Sequence, residues 1–256
     1  MKRSSIVLIN FFIFSIFATA LGISQEITGF DIMKRVDERP VPADATMQTI
    51  MKLIDKRGKE RVRTIKTYRF GDNKQIMWFL EPADVKGSSF LKHEYDDRDD
   101  DMWLYLPAFG KERRIASHQV KGSFMGSDFT YEDMGDRDLK DYTYKVLKEE
   151  SLDDKACWVI ESIPNDGVVT DYSKIVSWVR KDADTPAKEE FYDKRGNLKK
   201  VKNVEVINIE EFWLLSTLVM ENLKSEHKTE IYMNDIEINT GLKESLFETR
   251  SMKRIH

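Results

Sequence analysis

One cysteine, Cys157, is all that the 256 residues contain. A single thiol excludes an internal disulfide, so the core alone must hold the fold. Set between Ala156 and Trp158, it reads as a buried strand residue, since a nucleophilic thiol needs a positioned base. Catalytic signatures are missing as well. There is no G-x-S-x-G elbow, no P-loop and no H-E-x-x-H, and His93, His118, His227 and His256 are scattered. No catalytic residue, metal or cofactor is expected, and the chain reads as a non-enzyme. No linker breaks it. Basic excess is also lacking: without Lys2 and Arg3, 39 basic residues face 45 acidic ones, so nucleic acid is not an expected partner.

Long apolar runs are confined to the N-terminus. Lys2 and Arg3 precede the apolar stretch 6–20, which ends with Ala18 and Ala20 in A-x-A spacing. That is the pattern of a cleavable secretory signal, shorter than the roughly 20 residues of a membrane span and interrupted by Asn10. The expected organisation is a cleaved signal peptide over residues 1–22 and one domain over 23–256. No cysteine follows the run to be lipidated, so the expected product is a periplasmic, unlipidated monomer. About 235 residues suffice for one sizeable core.

What is present is mostly strand-length segments between turns. Residues 47–54 and 62–70 flank Asp55-Lys56-Arg57-Gly58, in which the glycine suits the positive φ of a bulged hairpin turn. The same tetrapeptide recurs as Asp193-Lys194-Arg195-Gly196, and Gly71-Asp72-Asn73 leads into 75–80. Further strands are expected at 142–149, 157–163, 172–180, 188–192, 198–206, 204–212, 213–221 and 228–238. The total is about eleven, in antiparallel meander order. Helical spacing is confined to Ile27, Phe30, Met33 and Val36, to the segment 123–129, and to a terminal turn at 242–247. The run Phe212-Trp213-Leu214-Leu215 breaks strand alternation by placing bulky groups on both faces. Either a helix covers that strand as well as the core, or one face lines a lipid cavity.

The densest stretch is 101–134, DMWLYLPAFGKERRIASHQVKGSFMGSDFTYEDM. Its apolar strand is stopped by Pro107 and followed by a turn at Gly110, a basic strand with Arg113 and Arg114, and then a short aromatic helix with Ser123, Ser127 and Asp128 as caps. The acidic run Asp96, Asp97, Asp99, Asp100 and Asp101 lacks the spacing and glycine of a calcium loop and reads as a solvated hairpin tip.

The WLYLP strand at 103–107, the R-R-I at 113–115 and the GSFMGSDF-x-Y-E-D element at 122–133 resemble the outer-membrane lipoprotein-sorting protein family of LolA/LolB-like periplasmic carriers. The order of elements is compatible from about residue 32 to 253. The resemblance implies a mainly β fold: a half-open antiparallel β-barrel, lidded by short α-helices, whose concave face takes the acyl chains of a lipoprotein or lipid. It also implies delivery toward the outer membrane and work alongside an inner-membrane exporter of the resistance-nodulation-division type.

Trp78, Leu80, Trp103, Tyr105, Phe124, Met125 and Phe129 are the expected neighbourhood of the ligand, although the same side chains would serve equally as one core joining lid to sheet. Arg113 and Arg114 are candidates to meet anionic headgroups, or else mark a solvated edge strand. A dozen acyl carbons, at about 0.8 kcal/mol per buried CH₂, would bind without any charged contact. The competing reading is a lipid-sensing regulatory module that binds a membrane-anchored partner.

Overall fold

The computed structural model describes residues 26–95 and 98–254. The expected signal peptide lies outside the described residues, as do Asp96 and Asp97. The chain begins with α1 (Gly29–Asp37) and continues into β1 (Asp44–Ile54), β2 (Glu60–Phe70), β3 (Lys74–Glu81), β4 (Ser89–His93), β5 (Asp101–Leu106) and β6 (Lys111–Arg114). A segment with short 3-10 turns, 115–141, leads to β7 (Tyr142–Leu152), β8 (Lys155–Pro164) and β9 (Tyr172–Arg180). The sheet then continues through β10 (Thr185–Asp193), β11 (Leu198–Ile209), β12 (Phe212–Asn222) and β13 (His227–Ile238).

Among the described residues, thirteen strands form one antiparallel sheet in the order β6-β5-β4-β3-β2-β1-β13-β12-β11-β10-β9-β8-β7. Two meanders, β1 to β6 and β7 to β13, are joined along β1 and β13. The sheet is not closed, because β6 and β7 lie at opposite ends. The count exceeds the expected eleven. The segments expected at 198–206 and 204–212 are one strand, and β4 was not foreseen, being short and buried along most of its length.

Turn chemistry explains the hairpins. In both D-K-R-G turns the aspartate side chain accepts backbone N–H bonds two and four residues on: Asp55 from Arg57 and Lys59, Asp193 from Arg195 and Asn197. Gly58 and Gly196 take φ of 77° and 81°, a region that costs glycine nothing.

The 115–141 segment crosses the inner face from β6 to β7, but it carries no aromatic helix. Met125 and Gly126 have φ of 51° and 74°, two consecutive left-handed residues that a right-handed helix cannot contain. The expected caps act otherwise: the Ser123 hydroxyl donates to the Ser127 carbonyl and the Ser127 hydroxyl to that of Phe124. The inner face is therefore crossed by a strap of turns. The sole α-helix among the described residues is α1, where Thr28 and Asp31 form a capping box and Ile32 and Met33 pack on Trp158, Ile160 and Val179.

Strand alternation sorts the sheet's two faces. Met51, Ile65, Met77, Phe79, Phe90 and Met102 point inward to meet Phe124, Phe129 and Tyr131 of the strap. Each fully buried phenylalanine contributes about 1.5–3 kcal/mol. On the outer face Ile76, Trp78 and Leu91 are covered by Phe247 and Met252 of the C-terminal turns. Asp44 anchors that cover by accepting hydrogen bonds from the backbone N–H groups of Thr240, Gly241 and Leu242 and from the Thr240 hydroxyl.

Candidate functional site

A cavity of about 300 Å³ lies on the inner face between the sheet, the strap and α1. One wall is hydrocarbon: Met47 of β1, Leu215 and Leu218 of β12, and Ile231, Met233 and Ile236 of β13. These side chains come from the centre of the sheet, where the two meanders join. The size sits at the lower end of the roughly 300–1,000 Å³ typical of ligand pockets.

The opposite wall is the strap, residues 132–137, and it is ionic. Arg137 pairs with Glu189 of β10, whose side chain is 0% exposed and is also held by Lys202 of β11 and the Ser177 hydroxyl. Asp133 accepts from Lys200 at 2.9 Å and from the Tyr172 hydroxyl at 2.9 Å, with both charged groups nearly buried. Lys92 pairs with Glu94 and donates to the Met134 carbonyl at 2.9 Å. The Thr170 hydroxyl donates to Glu132. Buried charges are tolerated only when paired in this way, and the pairing fixes the strap against both meanders.

The titrations follow from these partners. Burial opposes ionisation of Glu189, but Arg137 and Lys202 outweigh it and hold the carboxyl well below its usual range. Asp136 is likewise held low against its burial by Lys92, Arg69, Arg39 and Arg137. Burial, reinforced by Asp133 and Glu132, pushes the Tyr172 hydroxyl far up. Asp100, beside the strap, is pushed up to about 7 by burial and by the neighbouring Glu94. The ionic wall is thus largely neutralised from within, although Arg39 Nε and Glu132 Oε2 of the cavity lining are buried without a hydrogen-bond partner, and the facing wall is hydrocarbon.

Of the residues singled out from sequence, Phe129 lines the cavity. Phe124 and Met125 lie next to it in the inner core, where Phe124 meets the rings of Phe90 and Tyr131 at 5.0 and 5.7 Å. Trp78, Leu80, Trp103 and Tyr105 are on the other side of the sheet, in the cluster beneath Phe247 and Met252. Alternation decides this: the inward residues of β3 and β5 include Met77, Phe79 and Met102, so 78, 80, 103 and 105 face outward. Arg113 and Arg114 sit on the end strand β6. Arg114 is committed to Asp101, which also takes Arg98, and neither arginine lines the cavity.

The cavity residues not foreseen are chiefly Leu218, Met233, Ile236 and the ionic group around Glu189. The broken alternation at 212–215 marked β12, the strand of Leu218, but no sequence signal marked Met233 or Ile236 on β13. The ionic group had none, because its partners are far apart in sequence. Among the described residues, no group of three His, Cys, Asp or Glu side chains is placed to hold a metal ion.

A family model described as an uncharacterized protein matches residues 71–254. A DUF1329 family protein from Desulfovibrio piger is 32% identical, with a TM-score of 0.81 over 88% of this chain and 97% of that one. An outer membrane lipoprotein-sorting protein domain from Vibrio parahaemolyticus is also 32% identical, with a TM-score of 0.83 over 88% and 98%. A LolA superfamily protein from Nitrosomonas europaea shares the fold at 23% identity, with a TM-score of 0.67 over 87% and 98%. No curated protein sequence matches the chain.

Proposed function

Because this chain belongs to the DUF1329 family, within the outer-membrane lipoprotein-sorting proteins, we propose that it is a periplasmic carrier that shelters acyl chains of a lipid or lipoprotein on the inner face of its sheet. The observation that carries this reading is the cavity's hydrocarbon wall. Six aliphatic side chains from three adjoining strands face a void whose charged groups are largely paired with one another. Burying hydrocarbon there yields about 0.8 kcal/mol per CH₂, so a dozen carbons supply useful affinity without a covalent step. The mechanism is partition. In this reading the chain is not an enzyme, and it delivers its cargo toward the outer membrane in concert with an exporter of the resistance-nodulation-division type in the inner membrane.

Native mass spectrometry of the periplasmic protein, followed by organic extraction, tests this. A defined acylated adduct is expected on the wild type and a much depleted one on Leu218→Asp, with circular dichroism checking that the variant folds. An apo mass that takes up neither phospholipid nor lipopeptide would sink the carrier reading.

A further inference from the structure

The hairpin of β11 and β12 outgrows its neighbours. β10 pairs with β11 only between Tyr192 and Leu198 and on to Lys188 and Asn203, so residues 204–209 have no ladder partner on that side. β12 pairs with β13 only from Asn222 and His227 up to Thr217 and Tyr232, so residues 212–216 have none on theirs. β13 runs on beside β1 as far as Ile238 opposite Ala45. The sheet therefore splits between β12 and β13 above Thr217 and Tyr232. Both banks bend there. β12 carries an extra residue, Ser216, opposite the step from Glu205 to Val206, and β13 bulges between Asn234 and Glu237, where Asp235 has φ of 50°.

The cavity reaches this split. Trp213, Leu214 and Leu215 all line it. Successive strand residues point to opposite faces, so a void touching three in a row passes round the edge of the strand, and that edge is the one the split frees. Met233 and Ile236 line the facing bank. The rim carries backbone N–H and C=O groups released from the ladder, while the interior is hydrocarbon. An acyl ester or amide has the same two parts.

Entry beneath the strap is opposed by its buried pairs. Lifting the strap would strand Glu189 and Asp133, neither of which has appreciable exposure. The outer half of the hairpin has no ladder bond on either flank, and at its tip Arg180 stacks over the Trp213 ring at 5.1 Å.

We propose that the split between β12 and β13 is a side portal for an acyl chain. The hairpin bends about the Ser216 bulge, the hydrocarbon passes between Leu215 and Met233, and the ester or amide carbonyl rests among the freed backbone groups. This rests on the carrier reading above.

The test joins the banks in a Cys157→Ala background by pairing Leu215→Cys with Met233→Cys and treating with a flexible bis-maleimide. Uptake of dansyl-labelled undecanoic acid is followed by stopped flow in the same protein before and after joining. At least a tenfold slowing is expected, with probe loaded beforehand retained. A control pair, Val201→Cys with Glu221→Cys, ties β11 to β12 below the split and should leave uptake unchanged. If the first pair impairs folding, Ser216→Cys with Asn234→Cys joins the same banks. Unchanged uptake after joining would overturn the portal. A wild type that takes up no probe and yields no extracted lipid would instead overturn the carrier reading, and the portal with it.

Discussion

Arg137 of the strap meets Glu189 of β10, a carboxylate with no exposed surface that is gripped from its other side by Lys202 of β11. Arg137→Met would leave Glu189 short of half its counter-charge, at a cost of about 3–5 kcal/mol. The double replacement Arg137→Met with Glu189→Leu should lose less than the single change. Urea melts of the two variants provide the comparison. Glu189 titrates below its unfolded value, so its contribution is present above the usual carboxylate range and is lost as pH falls toward its folded pKa. Acid unfolding should accordingly begin at higher pH in the single variant.

Asp100 has the opposite sign. Its folded pKa is pushed up to about 7 by burial and by Glu94, so the folded state binds more protons than the unfolded one between about pH 4, the ordinary carboxyl value, and pH 7. Its influence on stability is favourable at the acid end of that window and fades as pH rises through it. Asp100→Asn should flatten the dependence of Tm on pH across the window, as read by calorimetry; an unchanged slope would remove Asp100 as its source.

Gly29 opens α1 against the backbone of β7. A Cβ there would stand 3.0 Å from the Lys145 nitrogen and 3.0 Å from the Tyr144 carbonyl carbon. Alanine is the better helix former by up to about 1 kcal/mol, yet Gly29→Ala should destabilise by about 1–3 kcal/mol, because main chain cannot yield as a side-chain tip can. A rise in Tm would mean that α1 can back away freely.

Trp103 belongs to the outer cluster, with the sheet between it and the cavity. Trp103→Ala should cost about 2 kcal/mol of stability while leaving affinity for an acyl probe within about twofold. A large loss of affinity in a folded variant would place the ligand on the outer face.

Strands were legible wherever local chemistry repeats: the two D-K-R-G turns lie where the tetrapeptide stands, and β9 runs over the residues expected of it. Which face of a strand meets the cavity was harder. The stretch around Trp103 stands out for its aromatic content, yet one step along β5 separates Met102, inside, from Trp103, outside. The GSFMGSDF segment resembled a helix because its serines cap well, while the left-handed pair at Met125 and Gly126 is set by the way the strap must turn. Ion pairs such as Lys200 with Asp133 join residues 67 apart, a distance over which no local pattern operates.

The join between β1 and β13 links residues as far apart as Ala45 and Ile238. Each meander grows by neighbouring hairpins, which are quick to form, whereas this seam must first close a loop of nearly the whole domain. During synthesis β1 therefore keeps a bare edge until the last strand has been made. The two halves are separate, unlocked pieces at first, and they become one sheet only after the rear half arrives.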